Sequence, residues 1–369
     1  MNTGWYRVEM GPGMIKFAQN FYTLRKKVLS FGELLLRICP DMEGQWLQDN
    51  ELSFYVGGAE ANVATALGIW GVPSAYFTAL PDNALSKQLA GYLEEKRIDT
   101  SKILYQGPRM GLYFLTKGKD LKNAGVIYDR AFSSFWELKP GMIDWDVVLQ
   151  DVEWLHFSAI TPALNSNLAK VCEELLQAAA AKEDITISVD LNYRAKLWQY
   201  GASPVEVMPG LVQYCDLVMG NLWAADKMLG IGVDASLHSH STKEDYLRHA
   251  QRTSEKILER FPRARMVANT FRFDHGEGGI NYYTTLFADK KLYKSREYFS
   301  EKILDKVGSG DCFMAGLIHG RYEGKDLQDT LEFATAAAFQ KLFIASDATD
   351  RTTKDIEKFM STIKVTDER

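Results

Sequence analysis

From Lys27 onward, short apolar runs alternate with longer stretches whose apolar residues recur at helical spacing. Val28 to Arg37 (VLSFGELLLR) reads as a strand interrupted by Gly32 and Glu33, and Gly58 to Trp70 (GAEANVATALGIW) as an alanine-rich helix. The same pattern predicts strands at 74–80, 152–157, 185–191, 217–219 and 265–270, with helices at 163–182 and 244–261. Strands in alternation with helices predict a mainly parallel sheet, and in such sheets ligands bind beyond the carboxyl ends of the strands. Two segments break the rhythm. Residues 45–56 and 103–130 are aromatic, short in period and bounded by turns, and read as extra antiparallel strands forming a small lid.

Composition narrows the class. The 43 Lys and Arg against 48 Asp and Glu leave a net charge of −5, which excludes a protein that coats nucleic acid. No run approaches the ~18 uncharged apolar residues of a membrane span. A hydrophobic share of 46% also excludes wholesale disorder. Cys39, Cys172, Cys215 and Cys312 are dispersed without a CxxC pair, and the chain lacks an Asn-x-Ser/Thr sequon, so a reduced, cytoplasmic setting is expected. Residues 1–26 have polar or charged residues interspersed throughout and no continuous apolar stretch, and read as an extension before a domain spanning 27–369, with Met10 and Met14 leaving room for a later native start. Ser236 to Lys243 reads as an exposed loop. His238, His240 and His249 lie in or near it without a carboxylate or cysteine at ligand spacing, which favours solvated histidines over a metal site.

The chemistry concentrates in DKVGSGDCF, Asp305 to Phe313, followed at once by the helical MAGLIHGRYEG. Gly308 and Gly310 permit backbone angles and close approach that a side chain would block, and with Ser309 they open a helix whose first N–H groups lack intrahelical partners. That arrangement is an anion site. Asp311 sits in the same turn. A carboxylate there would repel a phosphate, so its placement suggests a general base accepting a proton from an attacking hydroxyl. The plainer alternative is an acidic residue favoured in a first turn by the helix dipole. A GxxxxGK[ST] phosphate loop is absent, and GEGGIN at 276–281 fails the last position of GxGxxG.

DxxGxGD entering a late helix, with Gly57, Gly58, Asn62 and Ala64 far upstream in VGGAEANVATALGIWG, resembles the ribokinase-like (PfkB) carbohydrate kinases. The likeness runs from about Val28 to about Ala345. It implies a three-layer α/β/α sandwich with a mainly parallel central sheet and a small β-sheet lid, and use of ATP and Mg2+, with a monovalent cation near the Asp305 loop left open. Within that family the chain is most similar to 2-keto-3-deoxygluconate kinases, through DLNYRAKLW at 190–198, Tyr113 in GLYFL, and Tyr128 and Arg130 in VIYDR. The resemblance makes Asp311 the base, Gly308, Ser309 and Gly310 the phosphate cradle, and Gly58, Asn62, Tyr113, Tyr128, Arg130 and Arg194 the sugar-acid residues. Arg194 is expected to end a strand and start a helix, so that guanidinium groups approach a carboxylate from both sides. A neutral ketose such as fructose, or a catalytically silent sugar or nucleotide sensor, remains the alternative. Two departures stand out. Asn221 is followed by Ala224 where the family often has Glu for the metal's water shell, with Asp226 two residues on, and Asn269 to Asp274 (NTFRFD) replaces the glycine-rich end of the nucleotide strand. Asn221, Asp226 and Asn269 are therefore only placed in the nucleotide and metal vicinity. Unpaired lid edges suggest a homo-oligomer, and the lid is expected to close when sugar binds.

Overall fold

The structure, a computed structural model, describes residues 5–9, 15–19, 25–40, 46, 51–116, 125–234, 237, 241–276 and 278–362. Its centre is a sheet whose parallel part runs, in spatial order, through Ile98–Asp99, Ser74–Phe77, Lys27–Phe31, Val152–Ser158, Thr186–Asp190, Leu217–Gly220 and Met266–His275. Beyond it, Gly279–Ala288 pairs antiparallel with Met266–His275 and with the short strands Lys291–Lys294 and Tyr298–Ser300. Ser74–Phe77 and Leu217–Gly220 are buried along their whole length, because helices cover both faces of the sheet. On one face Leu175, Met208 and Met228 from the helices Ser166–Ala180, Pro204–Val212 and Leu222–Leu229 share one core with Ile187 and Val189 of the sheet. On the other, Ala59–Ile69, Ser309–Tyr322, Leu327–Lys341 and Thr353–Thr362 enclose a second core that includes Phe313, Leu317 and Phe333. This is the expected three-layer α/β/α sandwich.

The run predicted as one strand at 28–37 is two. Lys27–Phe31 lies in the central sheet, the chain leaves that sheet at Gly32 and Glu33, and Leu35–Cys39 becomes an inner strand of the lid. The lid order is Ile127–Asp129, Gly111–Phe114, Leu35–Cys39, Ser53–Gly57, and its central pair is parallel rather than antiparallel as expected. Within 103–130, Leu104–Tyr105 pairs with Ala79–Leu80 outside the lid, and 117–124 lie outside the described residues, as do 45 and 47–50 of the other lid segment. The predicted helix at 163–182 is also divided. Asn165 is extended and its side chain accepts from the Leu168 N–H, ending Ile160–Leu164 and capping Ser166–Ala180. Trp5–Glu9 and Ile15–Gln19 of the extension pair as a separate hairpin. His238 and His240 fall outside the described residues, while His249 lies on the helix Lys243–Arg260.

Lys27–Phe31 sits between Ser74–Phe77 and Val152–Ser158. The chain builds the sheet outward on one side of this strand and then returns to build the other. Such a reversal opens a crevice at the carboxyl ends of the strands.

Candidate active site

That crevice is a cavity of about 680 Å³, within the range of small-molecule sites. The glycine turn forms its centre. Gly308 has φ +78° and precedes the helix Ser309–Tyr322, and a Cβ on it would lie 1.7 Å from the Asp347 carbonyl oxygen, so only glycine lets the turn seat against that loop. The Ser309 hydroxyl is turned inward, donating to the Ala338 carbonyl at 3.1 Å, and leaves its backbone N–H to face the cavity end of the helix. Asp311 follows in the first turn and lines the cavity. Its Oδ2 accepts from Asn62 Nδ2 at 2.7 Å. Asn62, expected among the sugar contacts, therefore holds the Asp311 carboxylate. Burial, with Asp190 and Glu60 adding negative charge, raises the Asp311 pKa to about 8 against the opposing pull of Asn62 and Arg194.

Glu60 is a site residue that the sequence reading passed over. Buried at the start of Ala59–Ile69, it spans the crevice and accepts from the Ser158 hydroxyl at 2.5 Å and the Ser158 N–H at 3.0 Å. Burial lifts its pKa to about 7. Glu33, the residue that interrupts the first apolar run, accepts from Arg130 Nε at 2.6 Å and from the Ser133 hydroxyl at 2.5 Å. A signal existed for both: each is a lone carboxylate inside an otherwise apolar stretch.

The residues expected on the sugar side all line the one cavity. Gly58, at φ +129°, starts the Ala59–Ile69 helix, and a Cβ there would meet the Glu33 carbonyl at 2.5 Å. Tyr113 and Tyr128 stand opposite each other on neighbouring lid strands and both line the cavity, but the Tyr113 hydroxyl donates to Asp347 Oδ2. Arg130 has its Nε edge engaged by Glu33. Arg194 does not start a helix: after Asp190 the chain continues as a loop into a turn at 195–197. It reaches the cavity half-buried, and among the described residues it has no carboxylate within ion-pair distance. Lys196 ties the same loop to the lid by donating to the Val126 carbonyl at 2.9 Å.

Beneath the turn lies a buried charge cluster. Arg37, on the lid strand Leu35–Cys39 and wholly buried, donates from Nη2 to Asp305 Oδ2 at 2.6 Å, and its Nε is 2.9 Å from Asp347 Oδ1. Lys341, also buried, donates to the Ile344 carbonyl at 3.2 Å. The inner lid strand is thus anchored to the loops that carry the glycine turn.

Of the three residues expected in the nucleotide and metal vicinity, only Asn221 lines the cavity. Asn221 lines the cavity and caps Leu222–Leu229, its Oδ1 accepting from the Ala224 N–H at 2.8 Å. Asp226 is not among the lining residues and pairs with Lys227 at 3.3 Å. Asn269 is buried and donates to the Gly220 carbonyl at 2.9 Å, joining adjacent strands, and is not among the lining residues. Thr270 to Asp274 line the cavity in its place, because Met266–His275 runs on as a paired strand past the predicted end. No group of three or more His, Cys, Asp or Glu residues that could hold a metal occurs among the described residues. The lining carboxylate Asp190 and the amide of Asn221 do suit Mg2+, which keeps several waters and takes one or two protein ligands beside phosphate oxygens.

Residues 25–343 match the family described as pfkB family carbohydrate kinase. A 2-dehydro-3-deoxygalactonokinase of Haloferax volcanii is 26% identical over 90% of this chain and 96% of its own length. A 5-dehydro-2-deoxygluconokinase of Clostridium botulinum is 25% identical over 94% and 96%. Among solved structures, the 2-dehydro-3-deoxygluconokinase of Thermotoga maritima superposes with a TM-score of 0.82 at 34% identity, covering 91% of this chain and 99% of that one. The chain belongs to the pfkB family of carbohydrate kinases and is a sugar kinase acting on an alcohol group.

Proposed function

From that membership we propose that the chain transfers the γ-phosphoryl group of ATP to the terminal hydroxyl of 2-keto-3-deoxygluconate. The observation that carries the choice of a sugar acid is Arg194, a half-buried guanidinium in the cavity with no carboxylate within ion-pair distance among the described residues. A bound carboxylate would complete it with paired hydrogen bonds, whereas a neutral sugar would bury the cation unmatched. The names of the relatives from Haloferax and Thermotoga point the same way, and that of the Clostridium relative makes 5-dehydro-2-deoxygluconate the second sugar acid to test. A neutral ketose is favoured by a different observation: Glu33 and Glu60 line the cavity as acceptors for sugar hydroxyls.

Gly58, Tyr128 and Arg130 would orient the sugar while Arg194 fixes its carboxylate. Asp311, once ionised, takes the proton of the terminal hydroxyl as that oxygen bonds to the γ-phosphorus and the bond to the β-phosphate oxygen breaks, releasing ADP. The N–H groups of Ser309 to Asp311 stabilise the charge on the phosphoryl oxygens in transfer. Mg2+ bound with the nucleotide, near Asp190 and Asn221, would neutralise charge between the β- and γ-phosphates. Arg37 and Lys341 already occupy the surroundings of Asp305 and Asp347, so no monovalent cation is required there. The lid's edge strands leave Phe54 and Ile127 exposed, and a homodimer pairing through them is expected in light scattering.

ADP release across sugar acids, neutral ketoses, pentoses and nucleosides tests the substrate class. Sugar acids should lead, and a panel led by fructose would favour the neutral-ketose reading.

A further inference from the structure

Arg272 and Lys306 have no part in the steps above, yet both line the cavity beside the glycine turn. Arg272 lies on Met266–His275 in register with Tyr282. The rings of Phe271 and Phe273 pack with Tyr246 and Tyr283, so strand alternation sends Arg272, with Thr270 and Asp274, to the opposite face, that of the turn. Arg272 Nη1 donates to the Lys306 carbonyl at 3.4 Å. Lys306 Nζ lies 2.7 Å from Asp274 Oδ1, with the lysine side chain 17% exposed and the aspartate 67%. Two cations are thereby held beside the residues that lead into Gly308.

The electrostatics give them a task. The amino end of a helix supplies only about half a positive charge. The terminal phosphates of a nucleotide bring several negative charges into a cavity already lined by Asp274, Asp311 and Asp347. Met266–His275 contains no glycine and stays paired through His275, so this strand presents side chains where a glycine turn would present backbone amides. We propose that Arg272 and Lys306 form a side-chain clamp for the terminal phosphates of the donor nucleotide, with Asp274 as the exposed counter-ion that Lys306 exchanges for phosphate on binding. The clamp rests on the kinase reading but not on the identity of the sugar.

Calorimetry with the β,γ-imido analogue of ATP, with adenosine, and with the sugar acid, all in Mg2+, separates the possibilities without turnover. Arg272→Ala and Lys306→Ala should each weaken the analogue about 10-fold or more and flatten its salt dependence, with adenosine and sugar-acid affinities held within about 2-fold. Arg272→Lys should recover part of the loss. Unchanged analogue affinity in both variants, equal losses for analogue and adenosine, or a loss confined to the sugar acid would each overturn the clamp. If the wild type phosphorylates no sugar acid while analogue binding still depends on Arg272, the substrate reading falls and the clamp stands.

Discussion

The two ends of the cavity are built differently. On the acceptor side the polar groups already hold one another: Asn62 donates to Asp311, Arg130 to Glu33, Ser158 to Glu60 and Tyr113 to Asp347. On the donor side Trp223 stands 47% exposed, Ala224 offers no ligand, Asp226 does not reach the cavity and Lys306 is paired to a largely exposed aspartate. A network in place before binding lowers the cost of ordering the site and fixes which substrate fits. An open, charged end suits a substrate that arrives with its own metal and several charges. On the proposed reading, selectivity resides at the acceptor end, while the donor end supplies charge.

The strongest way to break this comparison is at the point where the ends meet. Asp311→Asn keeps the shape of the side chain but removes the base, so kcat should fall about 100-fold or more while binding of an ATP analogue persists. Near-normal turnover would remove Asp311 from the chemistry. Arg194→Ala comes next: it should cost about 2 to 5 kcal/mol in kcat/KM on the sugar acid and much less on fructose. Equal losses on both sugars would make Arg194 a structural residue.

The pH dependence sharpens the account further. Asp311 and Glu60 have pKa values of about 8 and about 7, raised from 3.8 and 4.5 chiefly by burial. Since the base must be ionised, kcat/KM, which reports the free enzyme, should rise with pH through about 8. Glu60→Gln removes a neighbouring negative charge and should move that rise to lower pH. The stability of the ligand-free protein should run the other way. Raised carboxylate values mean that the neutral forms favour the fold, a contribution complete below about pH 4 and lost as pH climbs through about 7 to 8. The melting temperature should therefore decline between about pH 4 and 8 and level off above that, less steeply in Asp311→Asn; a decline of equal steepness in that variant would contradict the burial assigned to Asp311. The smallest effect concerns salt identity. With Arg37 and Lys341 beside Asp305, turnover in NaCl and KCl should agree within about 2-fold, and strong activation by one cation would place an ion where those side chains lie.

Much of the acceptor end was legible in the chain. Gly58, Asp311, Tyr128, Arg130 and Arg194 all line one cavity, although they are contributed by the lid, the loop after the interior strand Thr186–Asp190 and two helix starts. The glycine turn with Asp311 was readable from local geometry, because such a turn entering a helix has one form, whereas the other four followed only from the resemblance to a known family. What could not be read were the partners. Nothing local to Asn62 says that it will hold Asp311, and nothing in VLSFGELLLR says that Glu33 will meet Arg130, since both contacts depend on how distant elements pack. The division of 28–37 between two sheets was hidden for the same reason: both halves are apolar, and only the tertiary fold sends Leu35–Cys39 into the lid. At the donor end the pattern misled. Asn269 belongs to a strand that continues as a hairpin, and strand alternation brings Arg272 to the turn in its place.

The most direct test of the central claim is the product itself. Purified protein incubated with 2-keto-3-deoxygluconate, ATP and Mg2+ should yield, by phosphorus NMR, a new phosphomonoester coupled to the protons of the sugar's terminal carbon, formed with one ADP per ester. Phosphorylation of fructose under the same conditions while the sugar acid is recovered unchanged would contradict the account.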